Sequence, residues 1–546
     1  MKLGKEHMWL MCILIIGIIA RIIKFNDPVF VLDTVAFSRL GKNLIEYGRY
    51  NFGENYNMGV FFPPGYPFFI GLFNLIINDL FISAKLISFI SSCVTIILAY
   101  LIGKELYDKE SGLFAASVFA LYPVILILSV DSYSDVLFFC FLLLSIYLFL
   151  LSLKKDSYLK SALMGTSIAA SYLTRPEGQF LLLLPMLQVF NMFSGKISFN
   201  KKYMLKTALI FLIFGIIISP YMLFLKNYTG KFSPTGKANI SILLGELSDE
   251  KEYHEVVNAP DNLYDRAAFA LTKDKTGLKG WNKNENLSLK DYFFKDPITF
   301  LKRYQKNVLR EIKTLNKLLV PIILPFFFAF FSRDIFKNRT RLIFMAYPLF
   351  FFLMYPVFII IEKQTLLIVV FLIFFSCGGF SNSRNAFFDL MSYYGLMQNR
   401  AIQALGRNIK YLMVAVLVLS SLSYMKYSSF SRVESPVEHE RAGLYLKKIA
   451  HEPYEAINVM SAKPYVNYYS DARFTMLPYA NVPDVISFAK LYNVDYIVVD
   501  KRFLGKWNYY NELIEMQKYS DDVELFYEDS SYSLIKLFKI KQSLKQ

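Results

Sequence analysis

The sequence predicts an α-helical polytopic membrane protein of about eleven transmembrane helices, with a small α/β domain at its C-terminus. Of its 546 residues, 55% are hydrophobic and only 19% are charged. A soluble protein of this size needs a more charged surface, whereas a bilayer accepts apolar side chains that face outward. Apolar windows of about twenty residues recur along the chain, and short strand patterns appear only in the last part.

The apolar windows give the predicted spans. The first, "HMWLMCILIIGIIARIIKF", has no small-residue cleavage site and is therefore expected to be retained. The spans lie near residues 8–24, 84–103, 113–130, 136–153, 160–174, 178–194, 207–225, 317–332, 342–361, 365–380 and 409–425.

The loops that carry Lys and Arg fall on one side of these spans, which the positive-inside bias places in the cytoplasm. The segments 25–83 and 226–316, and everything after residue 426, are then expected outside. The formal charge of +16 could suggest a nucleic-acid partner. Because the basic residues lie mostly in short loops between apolar runs, they indicate membrane orientation, and we expect no nucleic acid.

One apolar segment, "YPFFIGLFNLIIN" within residues 66–80, is too short for a clear span. Counting it as a span would move every later loop to the other side and place the Lys-rich loops outside. The charge bias therefore predicts an interfacial or re-entrant segment here.

The chain is expected to divide into a transmembrane domain at 1–430 and a soluble extracytoplasmic domain at 436–546. In the second part the charge rises, and strand-like runs such as "AINVMSA", "DYIVVD" and "YSLIKLFKI" alternate with helical stretches such as "PDVISFAKLYN". This alternation predicts a small α/β fold.

Neither the cysteines nor the histidines form a metal-binding pattern. All four cysteines sit inside apolar runs without paired spacing, and the four histidines are scattered. Two separate aspartates could hold a divalent cation through their oxygen atoms, although the sequence requires none. We therefore predict no metal site and no certain cofactor.

The stretch "VLDTVAFSRLGKNLIEYGRYNFG" follows the first span and predicts a two-faced helix. Phe37, Leu40 and Leu44 recur on one face, and polar residues fill the other. Such a helix is expected to lie in the plane of the membrane interface, with Asp33 at its N-terminus. Asp33 can serve as a helix cap, as a reacting carboxylate, or as both.

Three more residues stand at the outer ends of spans. Asp135 in "VDSYSDVLFF" heads a helix, where capping is again the simplest interpretation. Arg175 in "SYLTRPEGQFLLLLP" precedes a proline; it could snorkel to the headgroups or clamp a phosphate with two parallel hydrogen bonds. Lys363 in "IIIEKQTLL" is a second candidate phosphate ligand.

Together these residues place carboxylates and cations around one interfacial helix. This arrangement suits a lipid carrier whose phosphate lies at headgroup depth. A carboxylate could accept a proton from an acceptor hydroxyl while cations hold the leaving phosphate.

The order of five motifs resembles the GT-C glycosyltransferases, in particular the protein O-mannosyltransferases and lipid A aminoarabinose transferases (glycosyltransferase families 39 and 83). The motifs are "LDTVAFSRLGKNLIEYGRYNFG", "FPPGYPFFIGLFN", "YSDVLFFCFLLLSIYLFL", "SYLTRPEGQFLLLLP" and "SPYMLFLKNYTGKFSPTG". The resemblance implies transfer of a sugar, with inversion, from a polyprenyl- or dolichyl-phosphate donor. The acceptor would be a hydroxyl of a protein, lipid or glycan on the outer face of the cell membrane.

The same resemblance assigns roles to the residues. Asp33 matches the acidic residue of the first outer loop, which implies a catalytic role. Asp135 and Arg175 match an acid at the head of a span and a basic residue near the donor. The chain departs from the family at Thr34, where many relatives have Glu, and at Lys363, where a late outer turn often reads Arg-Tyr-Leu-Leu-Pro.

A transporter or flippase of a lipid-linked sugar is the alternative interpretation, and a non-catalytic membrane scaffold is a third. A transporter should bury charged or broken helices near the bilayer midplane. Here the polar residues gather at one predicted surface, which favours the enzyme.

Overall fold

In the computed structural model the chain forms two compact units, and each unit is built from three separate segments of the sequence. The structure describes residues 5–25, 32–55, 57–154, 157–186, 201–230, 232–236, 263–279, 294, 296–332, 338–358, 362–427, 436–449 and 457–541. The first unit comprises Met1–Pro28, Ala84–Tyr221 and Tyr304–Arg432, and the second comprises Val29–Ser83, Met222–Arg303 and Val433–Gln546.

Helices dominate the chain up to residue 427. In chain order the α-helices are Lys5–Phe25, Leu32–Tyr47, Gly65–Ile77, Leu80–Leu106, Lys109–Leu121, Pro123–Leu128, Asp135–Lys154, Tyr158–Thr174, Lys201–Thr229, Leu263–Ala268, Pro297–Leu319, Ile323–Ala329, Arg339–Met354, Glu362–Tyr393 and Arg400–Tyr427. Short 3₁₀ turns lie at Met58–Val60, Pro176–Leu182, Val320–Ile322, Tyr355–Val357 and Leu396–Gln398.

Within the described residues, eight helices are long and apolar enough to cross a membrane. This confirms the predicted class of polytopic membrane protein, although the sequence predicted about eleven spans. The predicted span at 113–130 is divided at Pro123 into helices of 13 and 6 residues. The span predicted at 160–174 lies within a helix of 17 residues. Of the span predicted at 178–194, the first residues belong to the 3₁₀ turn Pro176–Leu182, and residues 187–194 lie outside the described residues.

A buried arginine completes the helix that Pro123 interrupts. Because Pro123 has no N–H, the carbonyl of Phe119 lacks its usual helical partner. The guanidinium of Arg21, which is 0% exposed, donates to the carbonyl oxygens of Phe119 and Ala120, both at 3.0 Å. It also donates to the Ser92 hydroxyl at 2.7 Å. The guanidinium of Arg21, although it lies in the first predicted span, is therefore hydrogen-bonded and stabilises the helix end before Pro123.

In the second unit, helix Leu32–Tyr47 packs closely on helix Gly65–Ile77, which begins directly after Pro64. A Cβ atom on Gly41 would lie 2.3 Å from the Pro67 carbonyl oxygen, and one on Gly71 would lie 2.3 Å from the Gly41 carbonyl oxygen. The two glycines thus permit the contact between the backbones. With 13 residues, the second helix is about 20 Å long and cannot cross an apolar core of about 30 Å as a straight helix.

The C-terminal part of the second unit contains a five-stranded sheet in the order β2-β1-β3-β5-β4. The strands are β1 Asn458–Ser461, β2 Arg473–Met476, β3 Tyr496–Asp500, β4 Val523–Asp529 and β5 Ile535–Ile540. β1 pairs in parallel with β2 and β3, and β5 pairs antiparallel with β3 and β4.

Helices accompany this sheet at Val437–Ile449, Tyr465–Ser470, Val482–Leu491, Lys501–Leu504 and Tyr510–Ile514. Alternate residues of β3 enter two different apolar clusters, with Ile497 and Val499 in one and Val498 in the other. Both faces of the strand are therefore covered, which fits its central place in the sheet between β1 and β5. The predicted C-terminal α/β fold is confirmed, and most of the predicted boundary at 430–436 lies outside the described residues.

Candidate active site

Three of the four predicted site residues, Asp135, Arg175 and Lys363, line one crevice within the first unit. The side chains that line it almost fill the space between them, so that no cavity large enough for a water molecule remains. The other lining residues are Phe138, Phe139, Glu177, Tyr355, Gln364 and Leu367. From the sequence, these three distant residues were expected to share a site only because the order of their motifs resembles that of a known family.

Local backbone chemistry fixes the position of Arg175 at the end of helix Tyr158–Thr174. Pro176 disfavours helical backbone angles in the residue before it, and Arg175 accordingly adopts an extended conformation with φ −147° and ψ 136°. Its backbone N–H still donates to the Ser171 carbonyl at 2.9 Å. The side chain therefore leaves a fixed helix end and enters the crevice.

Two carboxylates hold the Arg175 guanidinium. Nη1 donates to Asp135 Oδ1 and Nη2 donates to Glu177 Oε1, the latter at 2.9 Å. The exposed fractions of the side chains are 19% for Arg175, 4% for Asp135 and 16% for Glu177. The arginine is thus held by specific ion pairs, which snorkelling alone does not explain, and Asp135 has a role beyond heading its helix.

Lys363 brings a second cation from another part of the chain. It is the second residue of helix Glu362–Tyr393, and its Nζ lies 3.1 Å from the centroid of the Tyr133 ring. A cation over an aromatic face is attracted by the electrons of the ring. Since Asp135 and Glu177 each carry one negative charge when ionised, the four charged groups of the crevice balance to zero.

Asp33 lies in the second unit, in the first turn of helix Leu32–Tyr47, where it is half-buried. Its charge acts on Tyr465, a residue of the C-terminal domain that is only 3% exposed. Burial raises the pKa of Tyr465 above its usual value, and the negative charge of Asp33 adds to the effect. The C-terminal domain therefore supplies an aromatic hydroxyl residue near Asp33, which the sequence analysis did not identify.

The polar face of the Asp33 helix is also covered. Arg39, 1% exposed, forms an ion pair with Asp471 of the C-terminal domain and donates to the Asn467 carbonyl at 3.0 Å. Lys42 and Lys447 contact the same carboxylate at 3.1 and 2.9 Å. Burial alone would raise the pKa of Asp471, but these three cations hold that pKa below its usual range. The helix predicted to lie in the membrane interface is thus attached to the sheet domain through its polar side.

Metal ligands are not grouped in the part of the chain that the structure describes. No set of three or more His, Cys, Asp or Glu residues there could hold a metal ion. Both acids of the crevice are already bonded to Arg175.

Residues 62–224 match the family described as dolichyl-phosphate-mannose-protein mannosyltransferase. The matched region contains Asp135 and Arg175, whereas Asp33 and Lys363 lie outside it. No curated protein sequence matches the chain.

Solved structures match over nearly the whole chain. The oligosaccharyltransferase AglB of Archaeoglobus fulgidus, in complex with an inhibitory peptide and a dolichol-phosphate, has a TM-score of 0.57 at 14% identity and covers 98% of this chain and 74% of its own. Its apo form has the same TM-score and identity and covers 100% and 75%. ArnT from Cupriavidus metallidurans, bound to undecaprenyl phosphate, has a TM-score of 0.57 at 10% identity and covers 97% of both chains.

These matches extend over both the helical part of the chain and its C-terminal sheet domain. The match to the mannosyltransferase family falls on the segments that supply five of the nine residues lining the crevice, Asp135 and Arg175 among them. The chain therefore has the fold of the GT-C glycosyltransferases.

Proposed function

We propose that the protein transfers a sugar from a polyprenyl- or dolichyl-phosphate donor to an acceptor hydroxyl on the outer face of the membrane, with inversion at the anomeric carbon. The observation that carries this proposal is the crevice in which Arg175 and Lys363 meet. Guanidinium and ammonium groups are the usual protein ligands of phosphate.

The fold relatives add support for a lipid phosphate as the carrier. ArnT is bound to undecaprenyl phosphate and AglB to a dolichol-phosphate. On this proposal the side chains of the crevice move apart to admit the phosphate, and the rest of the donor extends beyond it.

The chemistry requires stabilisation of the leaving phosphate. When the bond between the anomeric carbon and the phosphate oxygen breaks, negative charge develops on that oxygen. Cations that are already in place stabilise this charge without having to reorganise. The ion pairs of Arg175 with Asp135 and Glu177 keep the guanidinium in such a fixed position.

Asp33 is proposed to accept the proton of the acceptor hydroxyl as that hydroxyl attacks the anomeric carbon. Its position in the first turn of a helix that is packed on both faces holds the carboxylate in place. The acceptor can be a hydroxyl of a protein, a lipid or a glycan. The Lys/Arg distribution of the loops supports an outer location for the C-terminal domain and the site.

Release of the lipid phosphate tests the proposed function. Purified full-length protein would be incubated with a panel of polyprenyl-phosphate sugars, and formation of polyprenyl phosphate would be followed with and without acceptors. We expect release with at least one donor. Release with none of them, from protein that is folded by its melting curve, would reject the proposal.

A flippase for a lipid-linked sugar is the competing function, and the buried Arg21 in the first span is the observation that could favour it. The hydrogen bonds of Arg21 go to backbone carbonyls and to Ser92, which indicates a structural role. The release assay separates the two functions, because a flippase in detergent breaks no bond in its substrate.

A further inference from the structure

Glu311, in helix Pro297–Leu319, is a buried acid that the proposed reaction does not use. Its side chain is 0% exposed, and neither carboxylate oxygen makes a hydrogen bond with any residue that the structure describes. Buried polar groups are nearly always hydrogen-bonded, because an unsatisfied one destabilises the fold. A carboxyl group left in this state suggests that a ligand supplies the missing partner.

The packing of its helix places Glu311 beside the crevice. Asn307 donates to the carbonyl oxygens of Pro356 and Phe358 at 3.1 and 2.6 Å. Glu311 lies one helical turn after Asn307 and therefore on the same face of the helix. Its carboxylate also acts electrostatically on Tyr355, which lines the crevice.

Two crevice residues share this unsatisfied state. The hydroxyl of Tyr355, a residue 4% exposed, and the Oε1 atom of Gln364 have no hydrogen-bond partner among the described residues. Both residues line the crevice together with Arg175 and Lys363. Arg175 and Lys363, the proposed phosphate ligands, therefore lie near several polar atoms that have no hydrogen-bond partner among the described residues.

The chemistry of this group indicates what it binds. A carboxyl group and an amide oxygen accept hydrogen bonds, which the oxygens of an ionised phosphodiester cannot donate, and a phenol can donate or accept. Sugar hydroxyls both donate and accept, so they complement all three residues. We propose that Glu311, Tyr355 and Gln364 form a subsite that binds the hydroxyl groups of the donor sugar; this assignment rests on the proposed function.

The test compares a lipid phosphate with two lipids that carry a sugar on the same phosphate. Binding of dolichyl phosphate, dolichyl-phosphate mannose and dolichyl-phosphate glucose would be measured on full-length wild type, Tyr355→Phe and Glu311→Met. Tyr304→Phe is the matched control, because its hydroxyl donates to the Leu353 carbonyl at 3.1 Å and Tyr304 does not line the crevice.

We expect the wild type to bind at least one of the sugar-bearing lipids about tenfold more tightly than dolichyl phosphate. Loss of one neutral hydrogen bond in Tyr355→Phe should reduce this preference about three- to tenfold, and loss of the carboxyl in Glu311→Met by about tenfold or more. Affinity for dolichyl phosphate itself should change less than about twofold in both variants. Tyr304→Phe should match the wild type.

An equal preference for the sugar in wild type and Tyr355→Phe would overturn the subsite while leaving the proposed function intact. The same holds if the wild type shows no preference for either sugar. If the wild type binds none of the three lipids, the proposed function fails first. Tyr355→Phe removes a single oxygen atom and keeps the test decisive should Glu311→Met not fold.

Discussion

Replacing Arg175 with alanine should destabilise the protein as well as weaken donor binding. The substitution removes the cation that faces Asp135, whose side chain is 4% exposed, and Glu177, whose side chain is 16% exposed. Removing one member of a buried ion pair leaves an uncompensated charge and typically costs about 3–5 kcal/mol. We expect a loss of this size, visible as a lower melting temperature in detergent.

A variant without any of these charges separates stability from binding. In Asp135→Leu/Arg175→Met/Glu177→Met no carboxylate is left without its cation and no buried amide is left without a partner. Because replacing a whole buried ion pair by hydrophobic residues of similar volume is often close to neutral, this variant should recover most of the lost stability. Dolichyl phosphate binding should stay weak in both variants, since both lack the guanidinium.

Two results would contradict this reasoning. A wild-type melting temperature for Arg175→Ala would mean that the ion pairs contribute nothing to the fold. Wild-type affinity for dolichyl phosphate in the folded triple variant would mean that Arg175 is not a phosphate ligand, and that Lys363 acts without it.

Three further predictions concern other parts of the chain. Asp33→Asn should keep the fold and donor binding but reduce transfer by about a hundredfold or more, since Asn is a far poorer proton acceptor; near-normal turnover would leave Asp33 a structural role only. Arg21→Ala should lower the melting temperature, because the carbonyls of Phe119 and Ala120 lose their donor at about 1–3 kcal/mol each, and an unchanged melting curve would contradict this. Asp471→Asn should destabilise the protein at neutral pH. The pKa of Asp471 is lower in the folded protein than its unfolded value of about 3.9, so its ionised carboxylate stabilises the fold above that pH, and this stabilisation is lost as the pH falls. The difference in unfolding free energy from wild type, measured by denaturation, should therefore disappear in acid.

Features that depend on local sequence could be predicted well. Apolar windows identified most of the long helices, and alternating strand patterns identified the runs that hold β1, β3 and β5. Pro176 explains the position of Arg175, because its effect on the preceding residue is independent of the rest of the fold. The convergence of Asp135, Arg175 and Lys363 was inferred from the order of motifs in a family, not from the residues themselves.

Features that depend on distant packing could not be predicted. In the sequence, Arg39 is simply one residue on the polar face of a predicted helix. Its ion-pair partner, Asp471, lies 432 positions away along the chain. Glu311 stands in a charged segment, "LKRYQKNVLREIKTLNK", within a predicted outer loop, and resembles a surface acid. Only the packing of its helix on residues 356–358 distinguishes it from its exposed neighbours.

The balance of charge in the crevice bears on turnover as well as on binding. A lipid-phosphate sugar is a phosphodiester with one negative charge, whereas the released lipid phosphate carries about −1.5 to −2 at neutral pH. A crevice with two unopposed cations would hold the released phosphate more strongly than the substrate and would slow its departure. On the proposed function, Asp135 and Glu177 would offset this attraction and still keep Arg175 in place for the charge that develops during bond cleavage. On the proposed function, the same ion pairs therefore serve both the chemical step and product release.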